Sequence, residues 1–167
     1  MRVMGIDCGT EYTGFGIAEQ IDRGRLHYIA AGAIKLSKKD PLPARLAHIF
    51  EVLRGLIDEH HPEIVAIEEV FYSVNPKSAL KLGQVRGVAM LATAYCGVAM
   101  AEYSPLAIKS AVVGYGRAEK HQVQQMVMKL LDLAEPPEPA DAADALALAI
   151  CHLHTAQTLA RQAAGQR

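Results

Sequence analysis

RVMGIDCGTEYTGFGIAE, residues 2–19, sets the architecture of this chain. Its first six residues, RVMGID, are an apolar run that reads as a short buried strand closing on Asp7. CGTEY then makes a turn, and TGFGIAE (13–19) reads as a second strand. RLHYIAAGAIKL (25–36) supplies a third, so the chain opens as a three-strand meander.

Downstream, the period changes. From 43 to 60, Leu46, Ile49, Phe50, Leu53, Leu56 and Ile57 recur at helical spacing, and Pro62 stops that helix. IVAI (64–67) has the unbroken apolar character of a central strand covered on both faces. A long helix is expected over 76–96, with Pro76 suited to its first turn, then a strand at GVAMAEY (97–103). Helices over about 105–113, 118–131 and 140–160 complete the chain, the last two separated by EPPEP (135–139). The order β-β-β-α-β-α-β followed by helices predicts an α/β fold, a mixed β-sheet flanked by helices on both faces, in the ribonuclease-H-like arrangement. One domain over 1–160 is expected, with 161–167 a disordered tail.

Composition narrows the function classes. Hydrophobic residues make up 51% and aromatics 5%, so the core is aliphatic and alanine-rich. The 17 Lys and Arg against 18 Asp and Glu leave a net charge of −1, which by itself does not point to nucleic acid. Its distribution is more telling. Residues 75–121 carry Lys77, Lys81, Arg86, Lys109, Arg117 and Lys120 against only Glu102 and Glu119. A local basic surface beside an acidic pocket suits a phosphodiester substrate, though a solvated helix face has the same composition. Cys8, Cys96 and Cys151 are odd in number and far apart, so neither a disulfide framework nor a zinc site follows. With no signal-peptide pattern and no apolar run of membrane-spanning length, a cytoplasmic protein is expected, with no membrane association.

Four acids remain as candidates for chemistry. Asp7 precedes a glycine turn, where an acid often does no more than accept backbone N–H bonds. Glu68 and Glu69 follow IVAI directly; successive strand residues face opposite ways, so only one can share a face with Asp7. Asp141 and Asp144 are three apart on the last helix, hence on one face and about 4.5 Å apart along the axis. Asp141 could simply cap that helix, but Asp144 stands among Ala and Leu on an apolar stretch. No Lys or Arg lies within six residues of the pair. Each acid alone has an ordinary structural explanation. Together, arriving from two strands and one helix, they point to an oxygen-donor site for Mg²⁺ or Mn²⁺ and to phosphoryl chemistry.

Other residues are weaker candidates. Phe71 and Tyr72 follow the acidic strand and could be rim aromatics or rings that stack on an unpaired base. Lys109 and Lys120 could contact phosphate or be ordinary surface lysines. Ala79, Gly83 and Gly87 form a small-residue stripe on the long helix, fit for close approach of the protein's own sheet or of a second subunit.

GIDCGT…TGFGIA also resembles the phosphate loop of actin-like ATPases and sugar kinases. Those proteins enclose nucleotide between two domains, for which 167 residues without a second phosphate loop are too few. The fuller resemblance is to the RuvC Holliday-junction resolvases. It is carried by GIDCGTEYTGFGI, VAIEEVFYSVNPKSALKLGQVRGVA, IKSAVVGYGRAEKHQVQ and DAADALALAICH, in family order over nearly the whole chain. The resemblance implies that Asp7, Glu68, Asp141 and Asp144 bind metal, and it chooses Glu68 over Glu69. It implies that Phe71 inserts into an opened junction and that Lys109 and Lys120 lie near the scissile phosphate. It further implies two Mg²⁺ per site with Mn²⁺ able to substitute, a homodimer with the glycine-bearing helix near the two-fold axis, a four-way DNA junction as substrate, and the branch-migration proteins RuvA and RuvB as partners. Two positions depart from the pattern: some relatives have His in place of Asp141, and many have Pro in place of Cys8. A catalytically silent junction binder and a ribonuclease of the same architecture are the other functions this fold would allow.

Overall fold

The computed structural model describes residues 1–21, 24–69 and 76–165. Five strands, β1 (Arg2–Asp7), β2 (Tyr12–Gln20), β3 (Leu26–Lys35), β4 (Ile64–Glu68) and β5 (Ala99–Tyr103), form one sheet in the order β3-β2-β1-β4-β5. The meander β1-β2-β3 is antiparallel, whereas β4 and β5 run parallel to β1. Parallel neighbours need a crossover, and helices α1 (Leu42–His60) and α2 (Pro76–Tyr95) supply the two. Helices α3 (Pro105–Val113), α4 (Lys120–Leu130) and α5 (Ala140–Gly165) follow β5. This is the mixed, doubly covered sheet that the sequence pattern predicts.

Strand alternation sorts the core into two layers. Met4, Ile6, Ile17, Val65 and Ile67 face α1 and α2 and pack with Ile49, Leu53, Ile57, Val85 and Ala89. Val3, Ala18 and Ala66 face the other way, against α3, α4 and the buried stretch Ala145–Leu153 of α5. The α1 side is a deep layer of branched side chains. The α5 side is equally rich in Leu, Ile and Val, but thin where α5 crosses β1 and β2.

Glycine makes that thinness possible. Gly5 of β1 and Gly16 of β2 are opposite each other in the ladder, and Gly14 is opposite Asp7. A Cβ at Gly5 would collide with the Ala145 carbonyl, at Gly14 with the Asp141 carbonyl, and at Gly16 with the Leu146 backbone. So α5 lies directly on the bare backbone of β1 and β2. Its other end departs from expectation: the helix runs past Arg161 to Gly165. Ala, Gln and Arg, which fill that stretch, are good helix formers.

Candidate active site

Asp7 is the last residue of β1, and the parallel register Ile6↔Ile67 sets Glu68 beside it at the end of β4. Parity decides between the two glutamates. Val65 and Ile67 belong to the α1 layer and Ala66 to the α5 layer, so Glu68 shares Asp7's face and Glu69 turns away. The Glu69 N–H donates to the Tyr103 carbonyl at 2.9 Å, extending the β4–β5 ladder by one bond.

Asp141 and Asp144 reach the same place through the glycine seam. With the Asp141 backbone seated on Gly14, directly across from Asp7, the first turn of α5 overhangs the ends of β1 and β2. Asp144 lies one turn further along the same helix face. Four carboxylates from β1, β4 and α5 therefore gather at one edge of the sheet.

Asp7, Glu68 and Asp144 line a pocket of about 320 Å³, together with Pro105, Ile108, Lys109, Lys120, Val123 and Ala147. Asp141 is not part of its lining, but its charge is felt there. Burial, then the charges of Asp144, Glu68 and Asp141, push the Asp7 carboxyl up to about 7 from 3.8. Burial and Asp144 also raise Glu68, opposed by Lys109 and Lys120. These acids hold more negative charge than their surroundings compensate.

Two lysines enter from the far wall. Ser104 caps α3, its hydroxyl accepting from the Ala107 N–H at 3.2 Å, and the helix carries Lys109 to the pocket. Gln122 accepts from the Glu119 N–H at 2.8 Å at the start of α4, and the next residue, Lys120, places Nζ 2.5 Å from Asp144 Oδ2. That pairing raises the lysine's own pKa. In this arrangement Lys120 is a cation lodged among the acids.

Does the set suit a divalent metal? Among the described residues no three His, Cys, Asp or Glu side chains converge closely enough to form a ready-made cage. Yet the donors are all hard carboxylate oxygens, their mutual repulsion is unrelieved at Asp7, and an ammonium already occupies one of them. Mg²⁺ and Mn²⁺, which take oxygen donors, match that chemistry.

The structure thus gathers six of the seven residues singled out from sequence: Asp7, Glu68, Asp141, Asp144, Lys109 and Lys120. The seventh, Phe71, lies outside the described residues, as does Tyr72. Arg86, counted from the sequence only among the basic residues of 75–121, also stands at this edge. Arg86 of α2 donates from Nε to the Glu68 carbonyl at 3.3 Å, and it lines an adjoining cavity of about 220 Å³ with Cys8 and Glu69. Its place in that basic run is legible in the sequence; its contact with the Glu68 backbone is not. Cys8 is held neutral, its thiol pushed up to about 12 by burial and by Asp7.

The family model described as crossover junction endodeoxyribonuclease RuvC matches residues 3–152. The crossover junction endodeoxyribonuclease RuvC of Koribacter versatilis is 70% identical over 161 residues, covering 96% of this chain and 97% of that protein. Among solved structures, RuvC of Thermus thermophilus superposes with a TM-score of 0.88 at 32% identity, covering 95% of this chain and 96% of the other. The same protein in complex with Holliday junction substrate superposes at 0.87 and 30% identity, with the same coverage.

Proposed function

Because this chain belongs to the crossover junction endodeoxyribonuclease RuvC family, we propose that it is a metal-dependent endonuclease that resolves four-way DNA junctions by paired, symmetric nicks. The observation that carries the reading is the convergence of Asp7, Glu68 and Asp144, with Asp141 above them, on a pocket walled by Lys109 and Lys120.

Asp7, Glu68, Asp141 and Asp144 hold two Mg²⁺ ions, with Mn²⁺ able to substitute. Bound there, the ions would supply activation of the attacking water and charge stabilisation at the leaving 3′ oxygen, for products with a 5′-phosphate and a 3′-hydroxyl. Asp7 and Glu68, fixed at adjacent strand ends, set the position of the site. Asp144, which pairs with Lys120 in the metal-free chain, would be a metal ligand, and Lys120 and Lys109 would face the scissile phosphate. The basic groups supply salt-sensitive affinity for the backbone. Phe71, two residues beyond Glu69, stacks in the opened junction.

Two strands must be cut, so two sites are needed, and a C₂ dimer supplies them. On α2, Leu80, Leu91 and Tyr95 are 67%, 58% and 70% exposed, and Gly83 and Gly87 have nothing near their missing side chains. That apolar and flat stripe is the dimer surface, with α2 near the two-fold axis. The homodimer then acts in the cytoplasm on junctions moved by the branch-migration proteins RuvA and RuvB. The nuclease domain spans residues 1–160.

A synthetic mobile junction incubated with Mg²⁺ tests this directly, beside Asp7→Asn and a linear duplex of the same sequence. Paired nicks are expected on the junction alone and none from the variant, which still binds. Binding without nicks in either Mg²⁺ or Mn²⁺ leaves a junction-binding protein. Preferred cutting of an RNA hybrid makes it a ribonuclease.

A further inference from the structure

Glu68 is the last residue of β4, followed by one further ladder bond from the Glu69 N–H to the Tyr103 carbonyl. A metal ligand at a strand's last residue needs its main chain held, or its carboxylate wanders. One side chain reaches that point from the opposite face. Arg86 extends from the middle of α2 and spreads its guanidinium over the ends of two strands. Nε donates to the Glu68 carbonyl at 3.3 Å. Nη2 pairs with the Glu102 carboxylate on β5, and Nη1 lies 3.4 Å from Met90 Sδ. Glu102 is opposite Ile67 in the β4–β5 ladder, so the fork ties the last turn of each strand to one helix.

The guanidinium is not placed to greet DNA. Its side chain is only 17% exposed, and its charge is already paired with Glu102. Nor does it touch a carboxylate of the site; it holds the backbone from which Glu68 projects. Planarity matters here, because a lysine is a point charge that cannot span a carbonyl and a carboxylate at once.

We propose that Arg86, braced by Glu102, is a positioning residue that sets where the Glu68 carboxylate stands and so tunes cation affinity. The proposal rests on Glu68 being a metal ligand. Loss of a partner that orients a metal ligand typically weakens binding or activity by roughly 10–100-fold.

The test uses the full-length protein and Arg86→Lys, with Glu102→Gln as a milder second variant. Three quantities are read: Mn²⁺ affinity without DNA, by calorimetry or electron paramagnetic resonance; junction affinity in Ca²⁺; and single-turnover cleavage against Mn²⁺ concentration. Arg86→Lys is expected to bind Mn²⁺ about 10-fold more weakly. Its cleavage should fall at low Mn²⁺ and recover as the ion is raised, with junction affinity unchanged. Glu102→Gln should shift in the same direction by less. Wild-type Mn²⁺ affinity in Arg86→Lys overturns the proposal, as does a loss confined to junction binding, which would make Arg86 a DNA contact. Should Arg86→Lys fold poorly, an unchanged Mn²⁺ affinity in Glu102→Gln overturns it equally. A wild-type protein that binds no Mn²⁺ at all overturns the metal reading, and this inference with it.

Discussion

The two faces of the sheet are packed by opposite rules. Toward α1 and α2, bulky Met4, Ile6, Ile17 and Ile67 keep helices at a distance and interdigitate with Ile49 and Leu53. Where α5 crosses β1 and β2 there is hardly any side-chain layer, because glycines let helix backbone meet strand backbone. A branched layer tolerates small rearrangements, since its rotamers can share the strain. A backbone seam cannot yield without moving the helix. The unyielding face is the one on which all four carboxylates gather. The forgiving face presents the exposed stripe of α2.

That contrast can be attacked from either side. The largest effect concerns charge at the seam. Asp7 has its carboxyl raised to about 7 in the folded chain against 3.8 ordinarily, so the folded state keeps the proton longer than the unfolded one. Its contribution therefore favours folding below about pH 4 and is lost as pH rises toward 7, a cost of a few kcal/mol in the metal-free protein. Asp7→Asn should raise the metal-free melting temperature near pH 8 and flatten its fall with pH; equal pH profiles would show that the acids do not strain one another. Added Mg²⁺ should stabilise wild type more than the variant.

On the α2 face, Leu91→Lys should abolish dimerisation, a loss of about 2 kcal/mol or more for a central interface side chain. Light scattering against concentration reads it, and the monomer should keep its melting temperature. A dimer that survives moves the interface elsewhere.

Glycine substitutions compare the faces directly. Gly14→Ala forces a methyl into the Asp141 carbonyl, so it should cost about 1–3 kcal/mol and depress cleavage with stability. Gly83→Ala meets open space in the middle of a helix and should gain about 0.5–1 kcal/mol in the monomer. If α2 packs against a second copy, that same methyl should weaken the dimer. Denaturant titration at low and high concentration separates the two effects. Equal signs at Gly14 and Gly83 would erase the distinction between the faces.

Much of this was legible in the chain. Strand and helix periods locate every element to within a residue or two, except that the last helix continues past Arg161 because helix formers carry it on. Alternation in β4 is enough to reduce two glutamates to one, once the register with β1 is known. Other features are long-range and leave no local trace. Gly5, Gly14 and Gly16 look like strand weaknesses or a phosphate loop until α5, some 130 residues later, is laid upon them. A run of alternate glycines in a strand, matched by an alanine-rich helix, is the signal that could have announced the seam. The Lys120–Asp144 pair and the Arg86 fork depend on how helices meet, which no window of sequence contains.

Glu68 and Glu69 carry identical side-chain chemistry, and nothing but a half-turn of strand separates their fates. Composition is therefore blind to the most damaging error this protein could suffer. Deleting one residue from IVAI would leave an acid at the end of β4 and the net charge untouched, while presenting the wrong carboxylate to Asp7 and swinging Val65 and Ile67 out of their layer. The site is specified by counting as much as by chemistry, and the four aliphatic residues before Glu68 keep the count.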